Sequence, residues 1–143
     1  MRTVHKLARL SSGERRLVLR AVLVVGGFRV ALSVLPFRFV ERLAARARRP
    51  KRDRARPSVD HLVWAVTVAS RRVPRASCLT QALALQSLLL REGHDATLRL
   101  GVAKTAAGEL EAHAWLEHDG RTVIGGPQSA RFTPLPLRSR LDP

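Results

Sequence analysis

The chain has 143 residues, a length that suits one domain and leaves no room for a separate cofactor-binding domain. Its 26 Lys and Arg residues against 11 Asp and Glu residues give a formal net charge of +15, which is compatible with a generally basic solvated surface or with an acidic partner. No aromatic residues are interleaved with the basic runs, so we expect no nucleic-acid binding.

The first apolar stretch covers residues 17–40 and follows a sequence, residues 11–14, that is typical of a helix start. The stretch is nearly long enough to cross a bilayer, but Arg20 and Arg29 lie inside it and Pro36 interrupts it. We therefore expect one or two helices, which either pack on the core or contact a membrane surface through residues 17–40. The sequence lacks a secretory signal pattern and has no disulfide to form, so we expect a cytoplasmic protein.

An Arg-rich segment with two prolines follows at residues 42–57 and has almost no large apolar residue to bury. It predicts a linker. The sequence therefore divides into a basic N-terminal helical region with linker, residues 1–57, and a core, residues 58–143.

The core begins with a predicted helix at residues 59–69 that has Ser58 as its N-cap. A second helix is predicted over residues 78–92, with Ser77 at the N-cap and Gly93 at the C-terminal stop. Residues 96–103 and 110–118 alternate in the period of two typical of strands, and a turn at 119–120 leads into a third strand at 121–124. The pattern predicts an α+β fold.

Cys78 is the single cysteine in the chain, so it can form neither an intramolecular disulfide nor a thiolate metal cluster. It is either a small buried apolar residue or a reactive thiol. The predicted start of a helix at Cys78 favours the thiolate, because free backbone N–H groups and the positive end of the helix dipole lie there. The same N–H groups can stabilise an oxyanion.

His113, in the middle of the second predicted strand, is the corresponding candidate base. The period of two places it on one face with Glu111 and Trp115, opposite a predicted buried row. That row is Leu110, Ala112, Ala114 and Leu116. A cysteine followed later by a histidine is the order found in papain, although a strand histidine can also be structural.

Two stretches carry a resemblance to a known family: RVPRASCLTQALALQSLLLREGHDATLRLGV and EAHAWLEHDGRTVIGG. They resemble the transglutaminase-like leader peptidases of lasso-peptide gene clusters over about residues 71–126. The resemblance implies a papain/transglutaminase-like core with a catalytic helix packed on an antiparallel sheet. It also implies that Cys78 is the nucleophile and His113 the general base and acid.

In that family the peptidase removes the leader from a ribosomally made precursor and needs no cofactor or metal. The resemblance implies three partners: the precursor peptide, a small leader-recognition protein that acts in trans, and an ATP-dependent lasso cyclase that uses the freed amine. Two alternatives share the fold. One is an acyl-transfer enzyme of the transglutaminase type, and the other is a catalytically weak precursor-binding protein.

The sequence departs from the family at the third member of the Cys-His-Asp triad. With a two-residue turn at 119–120, the position expected for the aspartate holds Gly125 or Gly126. Asp119, Glu111 and Gln128 are weak candidates for the role, and the sequence leaves the third member open.

Overall fold

The computed structural model describes residues 9–46, 56–126 and 130–135. Within these ranges the helices are α1 (Ser12–Val34), α2 (Phe37–Ala45), α3 (Val59–Ser70) and α4 (Cys78–Arg91). The strands in the same ranges are β1 (Thr97–Lys104), β2 (Leu110–His118), β3 (Arg121–Ile124) and β4 (Thr133–Pro134). This succession of helices and then strands confirms the predicted α+β fold.

The N-terminal apolar stretch forms two helices, α1 and α2. Helix α1 starts with a capping box, in which the Ser11 hydroxyl accepts from the Glu14 N–H and the Glu14 carboxylate accepts from the Ser11 N–H. It ends at Val34, and Pro36, which has extended backbone, occupies the N-cap position of α2 without a side-chain cap. Helix α2 continues to Ala45, so the predicted linker at residues 42–57 was placed too early. Residues 47–55 lie outside the described residues.

Helices α3 and α4 begin where the sequence predicts. The Ser58 and Ser77 hydroxyls accept hydrogen bonds from the backbone N–H groups of His61 and Thr80, each at 3.2 Å. Helix α4 is buried along most of its length, because it lies between the other helices and the sheet. It stops at Gly93, whose φ of 81° is a conformation that glycine adopts readily.

The sheet is antiparallel in the order β3-β2-β1-β4. The predicted turn joins β2 to β3 with positive φ at Asp119 and Gly120, as a two-residue hairpin requires. Pairing shifts by one residue at Leu116 and Glu117, which is a β-bulge absent from the predicted register. The bulge changes which residues of the following chain lie beside the middle of β2.

One hydrophobic core joins the helices to one face of the sheet. Val25 of α1 and Val40 of α2 belong to it together with Leu83 of α4, and Ala114 and Leu116 contribute from β2. Two residues of the predicted buried row, Leu110 and Ala112, are exposed instead. That prediction was wrong because only the second half of β2 reaches the core.

Candidate active site

Cys78 is the first residue of α4 and is half-buried against the core. The cap at Ser77 engages two backbone N–H groups of the first turn: its hydroxyl accepts from Thr80 and its carbonyl from Gln81. Within the described residues, the N–H groups of Cys78 and Leu79 have no acceptor. The thiol therefore lies beside two free donors at the positive end of the helix dipole.

His113 lies in the middle of β2 and is half-buried. Its Nε2 atom is 2.8 Å from the carbonyl oxygen of Gly125. Because a carbonyl oxygen only accepts hydrogen bonds, Nε2 carries the proton and donates it. The neutral ring then has its lone pair on Nδ1, and no described residue forms a hydrogen bond with that atom. Nδ1 is therefore available as a base.

Two aromatic rings pack beside the imidazole. The ring centroid of Phe132 lies 4.9 Å from that of His113 with 27° between the planes, and Trp115 stacks at 6.2 Å with 22°. Both aromatic side chains are buried. Phe132 is brought there by the chain segment 130–135, in which Pro134 pairs with Gly101 of β1. These contacts limit the orientations open to the histidine ring.

Helix α4 packs on β2, but the His113 side chain lies on the face of β2 that is turned away from α4 and from Cys78. Ala114 and Leu116 face the core shared with α4, so the alternation of β2 puts His113 and Trp115 on the other side of the strand. The described residues show no hydrogen bond between the Cys78 thiol and the His113 ring. A catalytic pair would require the His113 ring and the Cys78 thiol to come within hydrogen-bond reach of each other when substrate binds.

The other carboxylates proposed from the sequence have different partners. Glu111 accepts a hydrogen bond from Arg131 at 2.9 Å, and Asp119 lies 3.3 Å from the ring of His118. Gln128 lies outside the described residues. Within the described part of the chain, no group of three His, Cys, Asp or Glu side chains is arranged to hold a metal ion.

A family model of the Transglutaminase-like superfamily matches residues 22–136. The chain belongs to this superfamily. The match contains Cys78, His113 and all of the elements from α2 to β4. Comparisons with curated proteins and with solved structures find no match to the chain.

Membership in the transglutaminase-like superfamily agrees with the observed architecture, in which a buried helix packs on an antiparallel sheet. The superfamily includes cysteine proteases and transglutaminases. Both use a thiol that forms an acyl-enzyme, and they differ in whether water or an amine then attacks it. The fold of this chain is therefore that of a papain-like cysteine peptidase or acyl-transfer protein.

Sequence reasoning missed two contributors to the surroundings of His113. The carbonyl of Gly125 could not be predicted, because a backbone group has no residue type that marks it in the sequence. Phe132 was missed because the tail has no strand periodicity, and β4 has only two residues. Phe132, a large apolar residue two positions before Pro134, is the feature of this segment that could have indicated a buried contact.

Proposed function

We propose that this chain is a cysteine peptidase that removes the leader peptide from a ribosomally synthesised lasso-peptide precursor. The observation that carries the proposal is the hydrogen bond from His113 Nε2 to Gly125, because it leaves a lone pair on Nδ1 in a superfamily that uses a cysteine nucleophile. The sequence resemblance over residues 71–126 supports the finer assignment to leader removal.

In the proposed reaction, substrate binding brings the His113 ring to the Cys78 thiol. His113 Nδ1 then takes the thiol proton, and the thiolate attacks the carbonyl carbon of the scissile peptide. The C=O pair moves to oxygen, where the free N–H groups of Cys78 and Leu79 offer hydrogen bonds. The C–N bond breaks as Nδ1–H protonates the departing amine. Water then attacks the thioester, Nδ1 accepts its proton, and the leader leaves as a carboxylic acid with the thiol restored.

The proposal includes partners. The sequence resemblance over residues 71–126 supports leader recognition by a small protein that acts in trans. The freed core peptide is then the substrate of an ATP-dependent lasso cyclase.

Mass spectrometry of a lasso precursor incubated with this chain tests the proposal, with and without the leader-recognition protein. We expect cleavage at the leader-core junction with wild type, and a loss of at least about 1000-fold for Cys78→Ala and about 100-fold or more for His113→Ala. His61→Ala is the matched control, since His61 is an exposed histidine of α3, and it should cleave normally.

Two outcomes contradict the proposal. Intact precursor bound by wild type plus partner would identify the chain as a precursor-binding protein. Transfer of the acyl group to an added amine in preference to water would identify an acyl-transfer enzyme.

We also propose that an anionic membrane surface is a partner of helices α1 and α2. Helix α1 is long and apolar enough to cross a membrane, yet only 17% of its apolar window is buried. Large exposed apolar side chains concentrate on these two helices and their junction: Leu19, Leu23, Val30, Val34, Leu35, Phe39 and Leu43. Exposed Arg38 and Arg42 accompany those of α2.

Apolar side chains beside arginines suit an interface of anionic headgroups and acyl chains. Two copies of this +15 chain would repel each other, which disfavours self-association. Sedimentation with vesicles of phosphatidylcholine alone and with phosphatidylglycerol added tests the proposal. We expect binding that needs the anionic lipid and is weakened about 10-fold or more by Leu23→Ser with Phe39→Ser.

Leu110→Ser is the control, because Leu110 is 74% exposed but belongs to β2 and not to either helix. Equal loss in the control, or no dependence on the anionic lipid, would contradict the membrane proposal. Dimerisation through these helices would replace it with a second copy as the partner.

A further inference from the structure

We infer that the backbone carbonyl of Gly125 takes the place of the triad carboxylate and positions His113 for catalysis. The inference rests on the proposed function and names the group that orients its base. Gly125 O accepts the proton of His113 Nε2 at 2.8 Å. An orienting acceptor on one ring nitrogen is what fixes the lone pair on the other.

The absence of a side chain at residue 125 has a steric reason. The backbone of Gly125 lies so close to β2 that a Cβ there would be 2.8 Å from the Cα of Trp115 and 3.0 Å from the carbonyl oxygen of Ala114. Gly125 also has a φ of 101°, which disfavours any residue with a Cβ. No carboxylate-bearing residue fits at this position, and the close approach is what brings the Gly125 carbonyl to the ring.

The β-bulge explains how the carbonyl reaches its place. Leu116 pairs with Ile124, whereas Glu117 pairs with Thr122, so Val123 is an extra residue in β3. The extra residue advances the chain by one position, and Gly125 then follows directly beside Trp115. Without the bulge, the two-residue turn at 119–120 would instead place Gly125 beside Ala114.

A carbonyl differs from a carboxylate in carrying no net charge. It selects the Nε2–H form of the neutral ring by its hydrogen bond, but it stabilises the imidazolium only through a dipole. We therefore expect Gly125 to act on the orientation and tautomer of His113. The stacking of Phe132 and Trp115 restricts the same ring from the side. Gly125 is a positioning residue, since it acts through His113 and does not itself touch the reacting atoms.

The first test is long-range ¹H–¹⁵N NMR of wild-type protein labelled with ¹⁵N-histidine, with the His113 signals assigned through His113→Gln. We expect the neutral ring to be at least about 90% in the Nε2–H form, because a single hydrogen bond of ordinary strength shifts such an equilibrium about tenfold. A ring with the proton on Nδ1, or an even mixture, would overturn the inference. This result does not depend on any cleavage, so it stands apart from a failure of the peptidase proposal.

A second test compares Gly125→Ala with Gly126→Ala. Both glycines have positive φ, at 101° and 62°, but a Cβ on Gly126 meets nothing within 4 Å. Both variants bear backbone strain, and only Gly125→Ala should push the carbonyl away from His113. We expect Gly125→Ala to lose the Nε2–H preference and to lower kcat/KM about 10-fold below Gly126→Ala across the pH profile. Equal tautomer populations and equal pH profiles in the two variants would overturn the inference.

Discussion

Gly101 lies directly beneath the indole of Trp115: a Cβ on Gly101 would approach Cζ3 of that ring to 2.8 Å. It would also meet the Cβ of Phe132 at 2.8 Å. Gly101 pairs with His113 across the sheet, so the lack of a side chain there makes room for both aromatic residues beside the histidine. Glycine is therefore required at position 101 because the Trp115 and Phe132 side chains lie too close to its backbone for a Cβ atom.

Gly101→Ala should lower the free energy of unfolding by about 1–3 kcal/mol, because the new methyl group must displace two buried side chains, those of Trp115 and Phe132. Gly27→Ala is the matched control, since a Cβ at this position in α1 meets nothing within 4 Å. It should raise stability by up to about 1 kcal/mol through helix propensity. Urea unfolding measures both, and a Gly101→Ala variant as stable as wild type would contradict the packing described for Trp115 and Phe132.

Gln86→Met should leave the protein as stable as wild type or raise its free energy of unfolding by about 1 kcal/mol. Gln86 lies in α4 with 8% of its surface exposed, and its Oε1 atom is buried without a partner among the described residues. Methionine has a similar volume and removes the unpaired oxygen. Thermal unfolding tests this, with Gln81→Met as the control, since Gln81 donates to the Ala76 carbonyl. A loss above about 1 kcal/mol for Gln86→Met would show that its amide is satisfied.

Ser77→Ala should cost about 1 kcal/mol of stability and also slow alkylation of Cys78 several-fold. The Ser77 hydroxyl holds the first turn of α4 through the Thr80 N–H, and the thiol depends on that turn. Ser58→Ala is the matched control, because Ser58 caps α3 in the same way at the same distance. It should lose similar stability with the alkylation rate unchanged. Equal slowing by both variants would mean that the cap acts on the thiol only through global stability.

The Glu14 carboxylate should make stability depend on pH in the acidic range. Hydrogen bonds from the Ser11 backbone and side chain hold the pKa of Glu14 below its usual value of 4.5. A carboxylate with a lowered pKa in the folded state stabilises fully above its unfolded pKa, and this stabilisation is lost as the pH falls through the folded pKa. The difference in unfolding free energy between wild type and Glu14→Gln should therefore be constant near neutral pH and shrink below about pH 4. A difference that does not change with pH would contradict the capping box.

The helices and the first three strands could be predicted from the sequence because residues close to their ends determine where they begin and end. Serines at caps, Gly93 at a helix end and the Asp119-Gly120 turn all act within a few residues of the chain. Cys78 and His113 could be proposed as candidate catalytic residues because their places, at a helix start and in a strand, follow from the same local patterns. The placement of Leu110 was wrong because burial depends on what packs over a strand, which alternation alone does not specify.

The surroundings of His113 could not be predicted, because they come from separated parts of the chain. The Gly125 carbonyl reaches the ring only through a bulge, and the sequence has no strong signal for that bulge. Phe132 reaches it through the two-residue strand β4, which exists because β1 offers an edge to pair with. Backbone groups and short edge strands leave little trace in residue patterns.

The central claim is that Cys78 and His113 act as a nucleophile and base pair. Because Cys78 is the single cysteine, the rate of iodoacetamide alkylation against pH reports on it alone, without knowledge of the substrate. We expect wild type and His61→Ala to react at the same rate near neutral pH, and His113→Ala to react about 10-fold or more slowly. Superimposable pH profiles for wild type and His113→Ala, with both proteins folded, would show that the histidine does not act on the thiol and would contradict the account.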